Sequence, residues 1–190
     1  MKELSKRIFS IAEAAECGVS RAVLANMVER GELERICRGL YAPVGYAGNG
    51  HLELEALVRR GCKFVVALES ALQLHDFSAV CPHELCIAVP KGARIPAVDL
   101  PIKVVHVDRE SFEIGAEERD VDGMRVKVYS VARTIADMFK FRGQVGMEVV
   151  LNSLKEALAR KMFSIDELMR FAAINRVQKV MLPYIEGCLS

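Results

Sequence analysis

Apolar residues at Val23, Leu24, Met27 and Val28 recur at the spacing that gathers them on one face of a helix, which leaves Arg21, Ala22, Ala25, Asn26 and Glu29 on the other. Ser20 stands where its hydroxyl can cap that helix, and Gly31 closes it. A shorter helix over 11–16 precedes it, with Ser10 as its cap and Gly18 as its breaker. Residues 33–42 then read as two short strands around an Arg38-Gly39 turn. Two short helices, a tight turn and a two-stranded wing make residues 9–43 read as a winged helix-turn-helix.

Three glycines in the segment 45–50 resist regular structure and place a boundary between two domains. The first, over 1–45, is the winged helix-turn-helix. The second spans 51–190, with residues 46–50 as the linker. Its pattern begins with a helix over 51–60, a brief apolar stretch over 63–67 and a helix over 69–75. Strands follow over 84–89, 102–107, 117–121 and 124–129, the last two flanking an Asp122-Gly123 hairpin turn. Helices then take over. Ser130 caps one over 131–141, Gly143 interrupts, and a long one covers 145–161. Ser164-Ile165-Asp166-Glu167 opens a third as a capping box. The fourth, over 176–188, is interrupted or bent at Pro183. The class is α+β: a winged helix-turn-helix followed by a mixed-sheet domain with a helical C-terminal half.

Charge decides what kind of reader the first domain is. Small alanines on the outward face of the second helix permit close approach to another surface. Arg21 at its N-terminus suits a phosphate or a guanine edge. Arg35 and Arg38 would add backbone contacts from the wing. The DNA-binding candidates are therefore Ser20, Arg21, Ala22, Asn26, Arg35 and Arg38; the competing reading makes these arginines solvated surface on a protein-docking module. The whole chain of 190 residues carries a formal net charge of only +1. Within residues 1–45, seven basic side chains face six acidic ones. Such balance excludes a protein that coats nucleic acid non-specifically, which depends on a large cationic excess. Affinity must then come from placement and from repeated half-sites, so homodimeric or cooperative binding is expected.

With 52% hydrophobic and 27% charged residues the chain is globular. Its first nine residues lack an apolar signal core, and no run is long enough to span a membrane. A cytoplasmic location and no membrane partner are expected. Six scattered cysteines then read as reduced thiols. His75, Cys81, His83 and Cys86 have the right ligand chemistry for zinc but fit no common spacing, and Cys86 sits in an apolar strand. Neither a metal nor a cofactor is expected.

Few groups in the second domain could do chemistry. Arg133 and Asp137 stand four apart on one helix, beside Thr134, so they could serve phosphate binding or carboxylate catalysis; an ion pair that orients the helix against the sheet is the favoured explanation. Lys91-Gly92-Ala93-Arg94 is a basic loop that could touch phosphate, yet it lacks the glycine spacing of a phosphate-cradling loop and reads as a solvated turn. Glu69 and Ser70 fit helix capping. No paired-carboxylate motif, GxSxG elbow or HExxH occurs, so no catalytic residue is assigned. On the helix over 145–161, Met147, Val150, Leu151, Leu154, Ala157 and Leu158 form a stripe suited to a core, or to dimerisation or docking.

Ser20-Arg21, the Arg-Gly-Glu-Leu run at 30–33 and Arg38-Gly39-Leu40-Tyr41 resemble the start of the AbiEi-like antitoxins of bacterial abortive-infection systems. Glu69-Ser70-Ala71-Leu72 with His75, Pro82 and the strand at 84–90 resembles a later region of that family. Val128 to Asp137 resembles its strand-to-helix "R-T-x-x-D" signature, which marks Arg133, Thr134 and Asp137 as the antitoxin-domain signature. The resemblance implies a transcriptional autoregulator that binds inverted repeats of double-stranded DNA in its own promoter. It also implies the antitoxin of a type IV toxin–antitoxin system, active in phage defence. The functional partner would be a nucleotidyltransferase-like toxin, countered without need of a tight complex. The chain ends sooner after its fourth C-terminal helix than longer family members. An enzyme handling nucleic acid or phosphoryl groups through Arg133 and Asp137, or a docking module, is the alternative.

Overall fold

A computed structural model describes residues 7–46, 50–78, 80–93 and 100–189. The chain divides into two compact units. The first holds the described residues up to Cys62 with Leu100 and Pro101, and the second the described residues from Lys63 to Ala93 and from Ile102 onward.

In the first unit, β1 (Phe9–Ser10) leads into α1 (Ile11–Glu16), and α2 (Arg21–Glu29) is followed by β2 (Leu33–Cys37), β3 (Leu40–Pro43) and α3 (Leu52–Arg59). The three strands form an antiparallel sheet in the order β1-β3-β2. Ser10 makes a complete capping box with Glu13: its hydroxyl accepts from the Glu13 N–H, and the Glu13 carboxylate accepts from the Ser10 N–H at 2.7 Å. Phe9, Ala14, Val19, Leu24 and Leu33 are buried together. A second cluster joins Ile8, Ile36, Leu40 and Ala42 to Ala56 of α3. That helix, with Leu54, Ala56 and Leu57 buried, belongs to the first unit. The structural division thus follows Cys62 and not the glycine segment at 46–50, because the β2–β3 hairpin leaves a back face that only another element can cover.

The second unit is built on a mixed five-stranded sheet. β4 (Val65–Val66), β5 (Leu85–Pro90), β6 (Ile102–Val107), β7 (Ala116–Val121) and β8 (Met124–Tyr129) lie in the order β6-β5-β4-β8-β7. β5 runs parallel to β6 and β4 parallel to β8, while β4–β5 and β7–β8 are antiparallel. Helix α4 (Leu68–Leu74) follows β4. After β8 come α5 (Val131–Lys140), the short α6 (Arg142–Val145), α7 (Met147–Ala159), α8 (Ile165–Ile174) and α9 (Gln178–Leu189).

Helix α5 is the centre of the core, since every residue from Val131 to Phe139 is buried. It is capped by Ser130, as α8 is by Ser164, whose hydroxyl accepts from the Glu167 N–H. The break before the long helix falls at Gly146, with φ +90°, and not at Gly143, which lies inside α6. Pro183 sits within α9, which continues through it. No helix among the described residues is long and apolar enough to cross a membrane.

Candidate functional site

The loop between α1 and α2 turns at Gly18, φ +77°, and Val19 plugs into the core beside Ala14. This fixes the start of α2. The Ser20 hydroxyl accepts from the Val23 N–H at 3.3 Å, which leaves its proton free to donate outward. Arg21, Ala22, Val23, Ala25 and Asn26 are all exposed. Val23 departs from its expected place on the inner face: it is 44% exposed, while Leu24 is buried and Met27 and Val28 are half-buried. At about 100° per residue the four apolar positions span a wide arc, and Val23 lies at its outer edge next to Asn26.

Arg35 and Arg38 are exposed on the hairpin. Arg35 pairs with Tyr41 in register just before a bulge, and its Nε donates to the Cys37 carbonyl. Arg38 precedes Gly39, whose φ of +86° makes the turn. Two bonds tie this turn down: the Ile11 N–H donates to the Gly39 carbonyl, and Arg60 Nη1 donates to the Arg38 carbonyl at 2.8 Å. One acid of α1 is drawn elsewhere. Glu13 binds Arg7 and Arg59. Partial burial opposes its ionisation, but the Ser10 hydrogen bonds and the two arginines hold its carboxyl below the ordinary value. Arg21, Arg35 and Arg38 form no ion pair among the described residues, although Arg21 shares the outward face of α2 with the exposed Glu29.

Arg133, Thr134 and Asp137 lie in the second unit and are fully buried. Arg133 Nε donates to Asp137 Oδ2 at 3.0 Å. Its guanidinium lies over the ring of Tyr129 at 5.0 Å and that of Phe171 at 5.9 Å, while Nη1 and Nη2 have no hydrogen-bond partner among the described residues. Asp137 Oδ1 accepts from Asn175 Nδ2 at 2.6 Å. Complete burial pushes the Asp137 carboxyl up, against the pull of Arg133 and Asn175. Thr134 Oγ1 and His75 Nε2 both donate to the carbonyl of Tyr129, the last residue of β8. That carbonyl can only accept, so Nε2 carries the imidazole proton.

These residues knit α5 to α4, β8 and α8. No reacting group can reach Arg133 or Asp137 without opening the core, which argues against the phosphoryl-handling reading of this pair. Ser70 plays the same part nearer the sheet: its hydroxyl accepts from the Cys86 N–H at 2.8 Å and donates to the Glu84 carbonyl. Cys86 is buried in β5, and burial pushes its thiol up to about 12, so it is an inert core side chain. The α7 stripe is also core, with Val150, Leu154 and Ala157 buried against α5 and α9. Sequence reasoning missed Asn175 because its role depends on a partner 38 residues away.

The comparisons with known proteins address the two units differently. Residues 2–44 match the family model described as transcriptional regulator, AbiEi antitoxin. The fold of the chain is similar to that in the crystal structure of the RV2827C protein from Mycobacterium tuberculosis, with a TM-score of 0.66 and 14% identity. That match covers 87% of this chain and spans 66% of the length of the other; at such identity it shows a shared fold. No curated protein matches the sequence.

Proposed function

We propose that this chain is a DNA-binding antitoxin of a type IV toxin–antitoxin system and represses its own operon from the cytoplasm. The observation that carries the reading is that the segment matching the regulator family, residues 2–44, is the one that presents the exposed face of α2 and the arginine-bearing hairpin. On this reading α1 and α2 are the helix-turn-helix and β2–β3 the wing.

Helix α2 enters the major groove. Ala22 and Ala25 let its backbone come close, and Ser20 donates to a phosphate beside the helix N-terminus. Arg21 is placed for a guanine edge and Asn26 for an adenine, the base types that their donor and acceptor patterns match. Arg35 and Arg38 contact the flanking backbone from the wing. A half-site contact of this size is weak alone, so two copies on an inverted repeat supply the affinity. The partner is a nucleotidyltransferase-like toxin, antagonised without a required complex. None of these roles needs a catalytic group.

Fluorescence anisotropy with a duplex from the chain's own upstream region tests the reading. Arg21→Ala and Asn26→Ala are expected to cost about 1–3 kcal/mol each, and Arg38→Ala to weaken all duplexes alike and lower the salt slope by about 1. Unchanged affinity in Arg21→Ala and Arg38→Ala, with folding intact, would remove the assignment.

A further inference from the structure

Val23 is a large apolar side chain left 44% exposed on α2. Its backbone is held in place, because its N–H donates to the Ser20 hydroxyl that caps the helix. The side chain is held as well. A β-branched residue in a helix has one strongly preferred χ1 rotamer, so its two methyls point in a set direction and lose little freedom on contact.

Residues three and four positions away share the surface around a helical side chain. For Val23 these are Val19 and Met27 on the core side and Ser20 and Asn26 on the solvent side, and none carries a charge. The charged residues of α2, Arg21 and Glu29, lie about 160° and 120° around the helix from it. The outward face therefore has a charged flank and, on the other side of Ala22 and Asn26, a small flank that is apolar and uncharged. In the major groove the bases present hydrogen-bond donors and acceptors, and thymine adds an apolar group, its 5-methyl. A valine methyl against that group buries carbon on carbon. Against cytosine N4 or guanine O6 the same valine would strip water from a polar group without replacing its hydrogen bond.

Resting on the DNA-reading role proposed for α2, we infer that Val23 is a specificity-determining residue: it selects a thymine in each half-site through the 5-methyl group, beside the adenine assigned to Asn26. Replacing thymine by deoxyuridine removes that methyl and keeps every hydrogen-bonding group of the base. Fluorescence anisotropy of the full chain on the upstream inverted repeat tests the inference, with each thymine replaced in turn at the symmetric positions of both half-sites. At one position the parent is expected to lose about fourfold in affinity per half-site, the worth of one methyl-sized group. Val23→Ala should bind the thymine duplex more weakly by about the same factor and no longer distinguish it from the deoxyuridine duplex. Its unfolding midpoint should hold or rise, since alanine is the better helix former at an exposed position. The inference is overturned, with the DNA-reading role intact, if the parent prefers the upstream duplex to a scrambled one yet no thymine replacement weakens it. It is also overturned if Val23→Ala still discriminates against deoxyuridine, which would make any weakening a matter of contact between protein copies. If the parent has no preference for the upstream duplex over the scrambled one, the DNA-reading role fails and the inference falls with it.

Discussion

A guanidinium with no exposed surface needs its charge matched, and at Arg133 the match consists of one hydrogen bond to Asp137 and two ring faces. Removing the acid therefore costs more than removing the pair. Asp137→Ala should lower stability by about 3–5 kcal/mol in urea unfolding, because it leaves a buried charge uncompensated. The double replacement Arg133→Met with Asp137→Leu should cost distinctly less. His75 gives this network a dependence on pH. Burial lowers its pKa below the value of about 6.5 that it has when unfolded. The unfolded chain then binds the proton more readily, so stability is complete above that value and falls as the pH drops below it. In His75→Gln, where the side-chain amide can still donate to the Tyr129 carbonyl, the loss between about pH 6.5 and 5 should be smaller, as the difference between two unfolding curves will show.

The elements are held by small devices at their ends, and these differ in how openly the sequence displays them. Gly115, φ +78°, lets Phe171 and Arg133 close over it: a Cβ there would stand 2.8 Å from the Phe171 ring. Gly115→Ala should therefore cost about 2–4 kcal/mol in thermal or urea unfolding, from overpacking added to a left-handed backbone. Lys161 ends α7 at φ +52°, so Lys161→Gly should leave stability unchanged or raise it by about 1 kcal/mol. Serine caps at positions 10, 20, 130 and 164 and the Asp122-Gly123 turn are legible from the chain, since each is satisfied within four residues. The two-residue strand β4 is not: it exists only because β5 and β8 flank it. The exposure of Val23 was equally hidden, because the apolar arc of α2 is wider than the surface it covers.

At the scale of the molecule, the two units differ in how much of their work local patterning reveals. The face proposed to read DNA lies on nearby residues of one helix and one hairpin. A cavity of the second is assembled from four segments between Lys91 and Arg176, and the buried pair Arg133–Asp137 shows its surroundings only when α8 is in place. Near-neutral charge in the first 45 residues makes a further expectation: the salt dependence should be shallow, about one logarithmic unit of affinity lost per logarithmic unit of salt for each phosphate contacted. The central claim is that α2 and the hairpin read the chain's own promoter, and competition binding at about 150 mM salt tests it most directly. The labelled upstream duplex should resist a scrambled competitor by about a thousandfold or more, with two copies bound per inverted repeat. Equal displacement by scrambled and upstream DNA would contradict it.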